Sequence, residues 1–267
     1  MNHGRVHAEP VMGTVVSFHL RGPLPPTGAI DTACAILHDV DRRFSLYRAE
    51  SELRRLARGE LAEGALSADV RWVLAACDDL ARTSGGAFDT RRHRADGVVD
   101  PSGFVKGWAV EEAARALDDA GGGDYLVAAG GDMLARGESA PGRPWRIGIR
   151  HPGDPASIVA VVGIRDAAVA TSGLYERGDH IRDPRTGKVP RDLASLTVVG
   201  PSLAWADAYA TAAFAMGLDG PAWVHDHPGY GALAVTADQR VVWTPVVERH
   251  LLPGSALSAS SQAEPPS

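Results

Sequence analysis

Residues 11–20 (VMGTVVSFHL) form an apolar-rich run that reads as a strand, and a proline-rich break follows it. Ile30, Ala33, Cys34, Leu37, Val40 and Phe44 then recur at helical spacing, so the pattern predicts a helix over 30–47. A short helix follows at 51–58. Ser67 is placed to cap another that runs to about residue 83, where Gly85-Gly86 stops it. Residues 103–120 read as a helix ended by three consecutive glycines. The runs 125–136, 145–150 and 158–170 read as strands separated by Gly/Pro turns. A strand at 195–199 leads into an alanine-rich helix over 203–216. Strands near 233–236 and 241–246, joined at Asp238-Gln239, close the pattern.

Strands and helices alternate without regular βαβ units, which predicts an α+β fold rather than a doubly wound sheet. No repeat and no linker divides the chain. The expected organisation is one compact domain over 11–250, with a flexible N-terminus at 1–10 and a disordered tail at 253–267, where large apolar residues are scarce.

Composition narrows the function classes. The 267 residues are 45% hydrophobic and 22% charged, which suits a globular protein and excludes wholesale disorder. A formal net charge of −6 provides no broad basic field for a phosphate backbone, so nucleic-acid binding is disfavoured. Cys34 and Cys77 cannot build a disulfide framework and have no metal-ligand spacing, so both are expected to be small core residues. The first residues show neither a signal-peptide pattern nor a cysteine for lipidation, and no apolar run is long enough to cross a bilayer. The expected compartment is the cytoplasm. Only Lys106 and Lys188 among the 27 basic residues are lysine, which marks each as a candidate for a role needing a compact ammonium.

Four places carry candidate chemistry. Asp207 and Thr211 stand at i and i+4 in ADAYATAAFAMG, so their oxygens share one helix face among small residues. A carboxylate there needs a partner, either a hard cation such as Mg²⁺ or an arginine, unless it lies at an exposed edge. DPSGFVKG (100–107) sets Asp100, Ser102, Gly103 and Lys106 at a helix start, which suits an anion; an ordinary cap by Ser102 is the alternative. Gly130-Gly131-Asp132 either admits a ligand close to the backbone or forms a bulge. His180 has the pKa of a general base near neutrality, or is a surface histidine beside the Asp183-Pro184 turn; Thr171-Ser172 supplies two hydroxyls upstream. There is no GxGxxG after a first strand and no Walker loop.

In order, the chain carries MGT (12–14), FSLY (44–47), GGAFD (85–89), DPSGFVKGWAVE (100–111), AGGD (129–132), ATSGLYERGDHIRDPRTG (170–187) and ADAYATAAFAMG (206–217). This series resembles the ApbE family, the FAD:protein FMN transferases. The resemblance implies the family's α+β fold, FAD as substrate and Mg²⁺ between its phosphates. It implies transfer of FMN onto a Ser or Thr of an acceptor flavoprotein by a phosphoester bond, with release of AMP. Matched by position, Gly103, Asp207 and Thr211 would hold the metal. Met12, Tyr47, Ala87, Phe88, Asp89, Asp100, Lys106 and Ile181 would contact FAD, and His180 would be the base. Only residues 90–99 join Asp89 to Asp100, where many members carry a longer stretch. The alternatives are an FAD pyrophosphatase giving FMN and AMP, and a non-catalytic flavin-binding protein.

Overall fold

Eight antiparallel strands form the main sheet of the computed structural model, which describes residues 4–91, 96–173 and 183–253. They are β1 (Arg5–Val11), β2 (Thr14–Arg21), β3 (Asp124–Ala129), β4 (Asp132–Arg136), β7 (Ala167–Gly173), β8 (Leu193–Gly200), β9 (Gly231–Thr236) and β10 (Val241–Trp243), in that spatial order. Between β4 and β7 the chain leaves the sheet to make a separate hairpin, β5 (Trp145–His151) and β6 (Asp154–Ile164). The helices are α1 (Ala29–Phe44), α2 (Glu52–Ala57), α3 (Ala68–Thr83), α4 (Ser102–Asp119), α5 (Leu203–Met216), α6 (Gly220–His225) and α7 (Pro245–Glu248).

Period-two alternation gives the sheet two faces and two cores. Val16, Phe18, Tyr125, Val127, Leu134 and Leu196 point toward α1, α4 and α5. Val169, Val199, Leu233 and Val235 belong to a second cluster with Trp145, Ile147 and Ile149 of the β5–β6 hairpin. Helix α5 is buried almost all round, and this dictates its small side chains. Gly107 of α4 lies so close to it that a Cβ there would sit 2.5 Å from the Leu203 carbonyl oxygen. Helix α5 begins on Ser202, whose hydroxyl accepts from the Trp205 N–H, and the Glu111 carboxylate accepts from the Leu203 N–H. Burial raises the Glu111 pKa, opposed by bonds from Ser202, Leu203 and Ala204.

The α+β expectation is met by one compact domain, and α5 has the predicted bounds. Three long apolar runs differ from expectation. The run over 11–20 breaks at Met12-Gly13, where φ of 53° and 70° makes the tight turn between β1 and β2. Residues 125–136 break at Gly130-Gly131, and 158–170 breaks near Asp166, whose φ is 44°. Each expected strand is therefore a hairpin, or parts of two strands. Residues 5–10, expected to be a flexible N-terminus, belong to edge strand β1, in register with β2 from Arg5↔Leu20 to Val11↔Thr14. The expected tail at 253–267 lies outside the described residues except for Pro253. Ser67 precedes α3 as expected, but its hydroxyl accepts from Arg43 instead of capping the helix.

Candidate active site

Two carboxylates and one ammonium meet where α4, α5 and β4 converge. Lys106, in the second turn of α4, contacts the Asp132 carboxylate, and its Nζ lies 3.7 Å from Asp207 Oδ1. Asp132 is fully buried at the start of β4, and its Oδ1 accepts from the Thr171 N–H at 3.3 Å. Asp207 is 4% exposed, and among the described residues nothing hydrogen-bonds its Oδ2. Burial drives the Asp207 pKa well up, and the Asp132 charge adds to this. Lys106 and the Gly107 N–H oppose the shift.

The oxygen donors expected to hold a metal are gathered here. Thr211 follows Asp207 by one helical turn. A Cβ on Gly103 would lie 3.3 Å from the Thr211 Oγ1 and 3.2 Å from the Phe88 ring, so it would press on both side chains. The Gly107 N–H, which lowers the Asp207 pKa, is the donor that helical geometry aims at the Gly103 carbonyl. That carbonyl and the Asp207 carboxylate therefore approach one locality. Ser172 Oγ, at the end of β7, is 3.5 Å from Thr211 Oγ1. A buried carboxylate oxygen without a partner, next to a hydroxyl and a helix-start carbonyl, fits a hard, oxygen-seeking cation.

The surrounding loops bring other expected residues to the rim. Ala87 and Phe88 are buried, and the Phe88 N–H donates to Ser84 Oγ at 3.1 Å. The Asp100 N–H donates to the Thr90 carbonyl at 2.8 Å, which sets Asp100 beside the residue that follows Asp89. Asp100 Oδ1 accepts from the Ser102 N–H, so Asp100, and not Ser102, supplies the side-chain oxygen at the start of α4. The Asp183–Gly187 turn packs Arg185 against Gly86. Burial would raise the Asp183 pKa, but bonds from Arg185 and Thr186 hold it below the usual range. Met12 sits in the β1–β2 turn and packs against the helix-side core, whereas an open concavity of about 610 Å³ lined by Gly13, Thr14, Val15, Ser17, Ala128 and Gly130 lies on the other face of the sheet. Gly130 lies two residues before Asp132.

Tyr47 is 89% exposed. His180 and Ile181 lie outside the described residues. Asp132 was not singled out by sequence as a charged partner. The available signal was Gly130-Gly131, whose turn delivers Asp132 to the first position of β4.

The sequence model of the ApbE family matches residues 12–94 and 90–234. The two matched pieces meet in the short segment after Asp89. A curated FAD:protein FMN transferase of Haemophilus influenzae is 28% identical over 69% of this chain and 71% of its own length. The Salmonella typhimurium protein of the same name is 36% identical over 46% of this chain, but only 38% of its own length. Among solved structures, the flavin transferase ApbE from Vibrio cholerae superposes with a TM-score of 0.84 at 24% identity, covering 94% of this chain and all of that one. The ApbE protein of Thermotoga maritima gives 0.82 at 22% identity, covering 93% of this chain and 99% of the other.

Proposed function

Because the chain belongs to the ApbE family, we propose that it is a Mg²⁺-dependent FAD:protein FMN transferase. The observation that carries this reading is the convergence of Asp207, Thr211 and Gly103 beside Lys106, in a fold that matches flavin transferases along nearly its whole length.

In this reading Asp207, Thr211 and the Gly103 carbonyl are the ligands of Mg²⁺. When bound, that ion neutralises charge on the FAD diphosphate. Lys106 adds a compact ammonium on the same side, and the first N–H groups of α4 favour the phosphate oxygens. Asp132 holds Lys106 in place through their buried contact. Phe88, Ala87 and the Met12 turn form apolar walls for the flavin, and Tyr47, Asp89, Asp100 and Ile181 complete the FAD contacts.

The oxygen of an acceptor Ser or Thr attacks the flavin-side phosphorus. The bond from that phosphorus to the bridging oxygen breaks, and AMP leaves with that oxygen. His180 takes the hydroxyl proton. The partner is a flavoprotein carrying the accepting hydroxyl. Both cysteines are free thiols, which suits a reducing compartment and supports a cytoplasmic enzyme. No helix among the described residues is long and apolar enough to cross a membrane.

The test is acceptor labelling, followed by the mass increment of FMN on the acceptor. Wild type should label in the presence of Mg²⁺, and His180→Ala should lose roughly 10²–10⁴-fold, the usual contribution of a general base. FAD binding should be retained. Hydrolysis of FAD to FMN and AMP at equal rates with and without acceptor would mark a pyrophosphatase instead.

A further inference from the structure

We propose that His7, Glu9, Cys34 and His38 form a Zn²⁺ site that clamps edge strand β1 to helix α1. Two residues two apart on a strand share a face, as do two residues four apart on a helix. His7 and Glu9 are such a pair on β1, and Cys34 and His38 are the matching pair on α1. The two pairs face each other across the strand–helix interface. One ligand atom each from His7, Glu9 and Cys34 lies within 4.8 Å of the others.

The separations match a metal-sized gap. Cys34 Sγ is 3.5 Å from His7 Nε2, and Glu9 Oε2 is 3.4 Å from the same nitrogen. Around tetrahedral zinc, ordinary Zn–S and Zn–N bond lengths set the S···N edge at about 3.6 Å and the N···O edge at about 3.4 Å. His38 Nε2 is 2.6 Å from Glu9 Oε1, a hydrogen bond in the absence of metal. The His38 side chain is 50% exposed, and exchanging this bond for the metal would make it the fourth donor.

The donor set selects the ion. A thiolate beside imidazoles disfavours Mg²⁺ and Ca²⁺, which seek oxygen, and suits Zn²⁺ in a tetrahedral site. One thiolate and one carboxylate balance the dication, and two neutral imidazoles add no charge. The complex is therefore electrically neutral, as a half-buried location requires. Four protein ligands leave no open position, so the site is structural. Its place explains what it would do. Strand β1 is paired on one side only, and its far end turns into β2 at Met12-Gly13. Cys34 would thus have a ligand role that the sequence conceals, because two of its three partners come from a strand 25 or more positions away.

The experiment uses full-length, tag-free protein, so that no engineered histidines compete. Elemental analysis should find one zinc per chain. After stripping and reconstitution with Co²⁺, the spectrum should show a thiolate-to-cobalt charge-transfer band and the intense visible bands of a tetrahedral site. Cys34→Ala should abolish the sulfur band and weaken Zn²⁺ affinity by about 100-fold or more, beyond the loss typical of an outer-shell partner. Alanine is a good helix former, so the fold should survive this change. Asp207→Ala should leave zinc at one per chain, separating this site from the Mg²⁺ ligands. A wild-type cobalt spectrum without a sulfur band would overturn the proposal whatever the variants do. So would zinc binding unchanged in both Cys34→Ala and His7→Ala.

Discussion

Lys106 touches the buried carboxylate of Asp132 while its Nζ stands 3.7 Å from Asp207 Oδ1, so one ammonium answers two carboxylates. With both carboxylates ionised the cluster would carry one net negative charge, and burial together with the Asp132 charge answers this by raising the Asp207 pKa. In the proposed reading a divalent cation would let Asp207 stay ionised, and its Oδ2, without a hydrogen-bond partner among the described residues, is the atom open to it. Coulomb attraction then holds the cluster together, which would otherwise be costly to bury.

Removing the Asp207 carboxylate should therefore abolish metal-dependent turnover. Asp207→Asn is expected to lower FMN transfer roughly 10³-fold or more, corresponding to several kcal/mol of lost charge stabilisation. Chelation of wild type should do the same, and added Mg²⁺ should restore wild type but not the variant. Labelling rates across a Mg²⁺ titration decide it; full transfer in excess chelator would remove the metal from the reaction.

Asp132 and Lys106 should behave as a coupled pair. Asp132→Ala leaves Lys106 with Asp207 as its remaining carboxylate, and loss of one partner of a buried pair costs up to about 3–5 kcal/mol. Lys106→Met strands the carboxylates in turn. The double variant should be less destabilised than the sum of the two, because it leaves no Asp132 carboxylate without Lys106, while Asp207 loses the ammonium equally in Lys106→Met and in the double variant. Urea denaturation of the four proteins in the cycle measures this. Strict additivity would mean that the contact carries no energy.

Two glycines four residues apart in α4 should separate packing from chemistry. At Gly107 a Cβ meets the Leu203 carbonyl oxygen at 2.5 Å, and backbone cannot step aside. Gly107→Ala should push α4 off α5 and destabilise the fold by about 1–3 kcal/mol. At Gly103 the nearest atoms belong to the Phe88 and Thr211 side chains, at 3.2 and 3.3 Å. Gly103→Ala should shift melting little and impair transfer strongly. Melting temperatures beside labelling rates test the contrast, and equal losses of stability would remove it.

Glu111 should give stability a specific pH dependence. Burial raises its folded pKa above the value in the unfolded chain. Between about pH 4, where an unfolded glutamate ionises, and the higher folded value, only the folded state keeps the proton. Stability contributed by Glu111 is thus present in acid and falls as pH rises through that window, at most about 1.4 kcal/mol per pH unit. Glu111→Gln keeps an acceptor for the Leu203 N–H and should flatten the slope. Denaturation midpoints measured from pH 4 upward should diverge between the two proteins; parallel profiles would show that Glu111 ionises alike in both states.

The sequence by itself determined whatever depends on neighbours along the chain. Helix α5 was legible because its alanine run is local, and with it the shared face of Asp207 and Thr211. The ordered motif blocks likewise specified the family. Strand boundaries were less legible: Met12-Gly13 and Gly130-Gly131 turn the chain in two residues without breaking the apolar run, so a hairpin looks like one strand. Only tertiary structure decided the partners of charged groups. Asp132 is 26 residues from Lys106 and 75 from Asp207 in the chain; sheet order and the close α4–α5 approach bring them together. His7 and Glu9 reach Cys34 and His38 in the same way, through the docking of α1 on the face of β1. Periodicity tells which way a side chain faces on its own element. What it meets there is set by how the elements pack, because the cost of burying a charge is met by partners the local sequence does not contain.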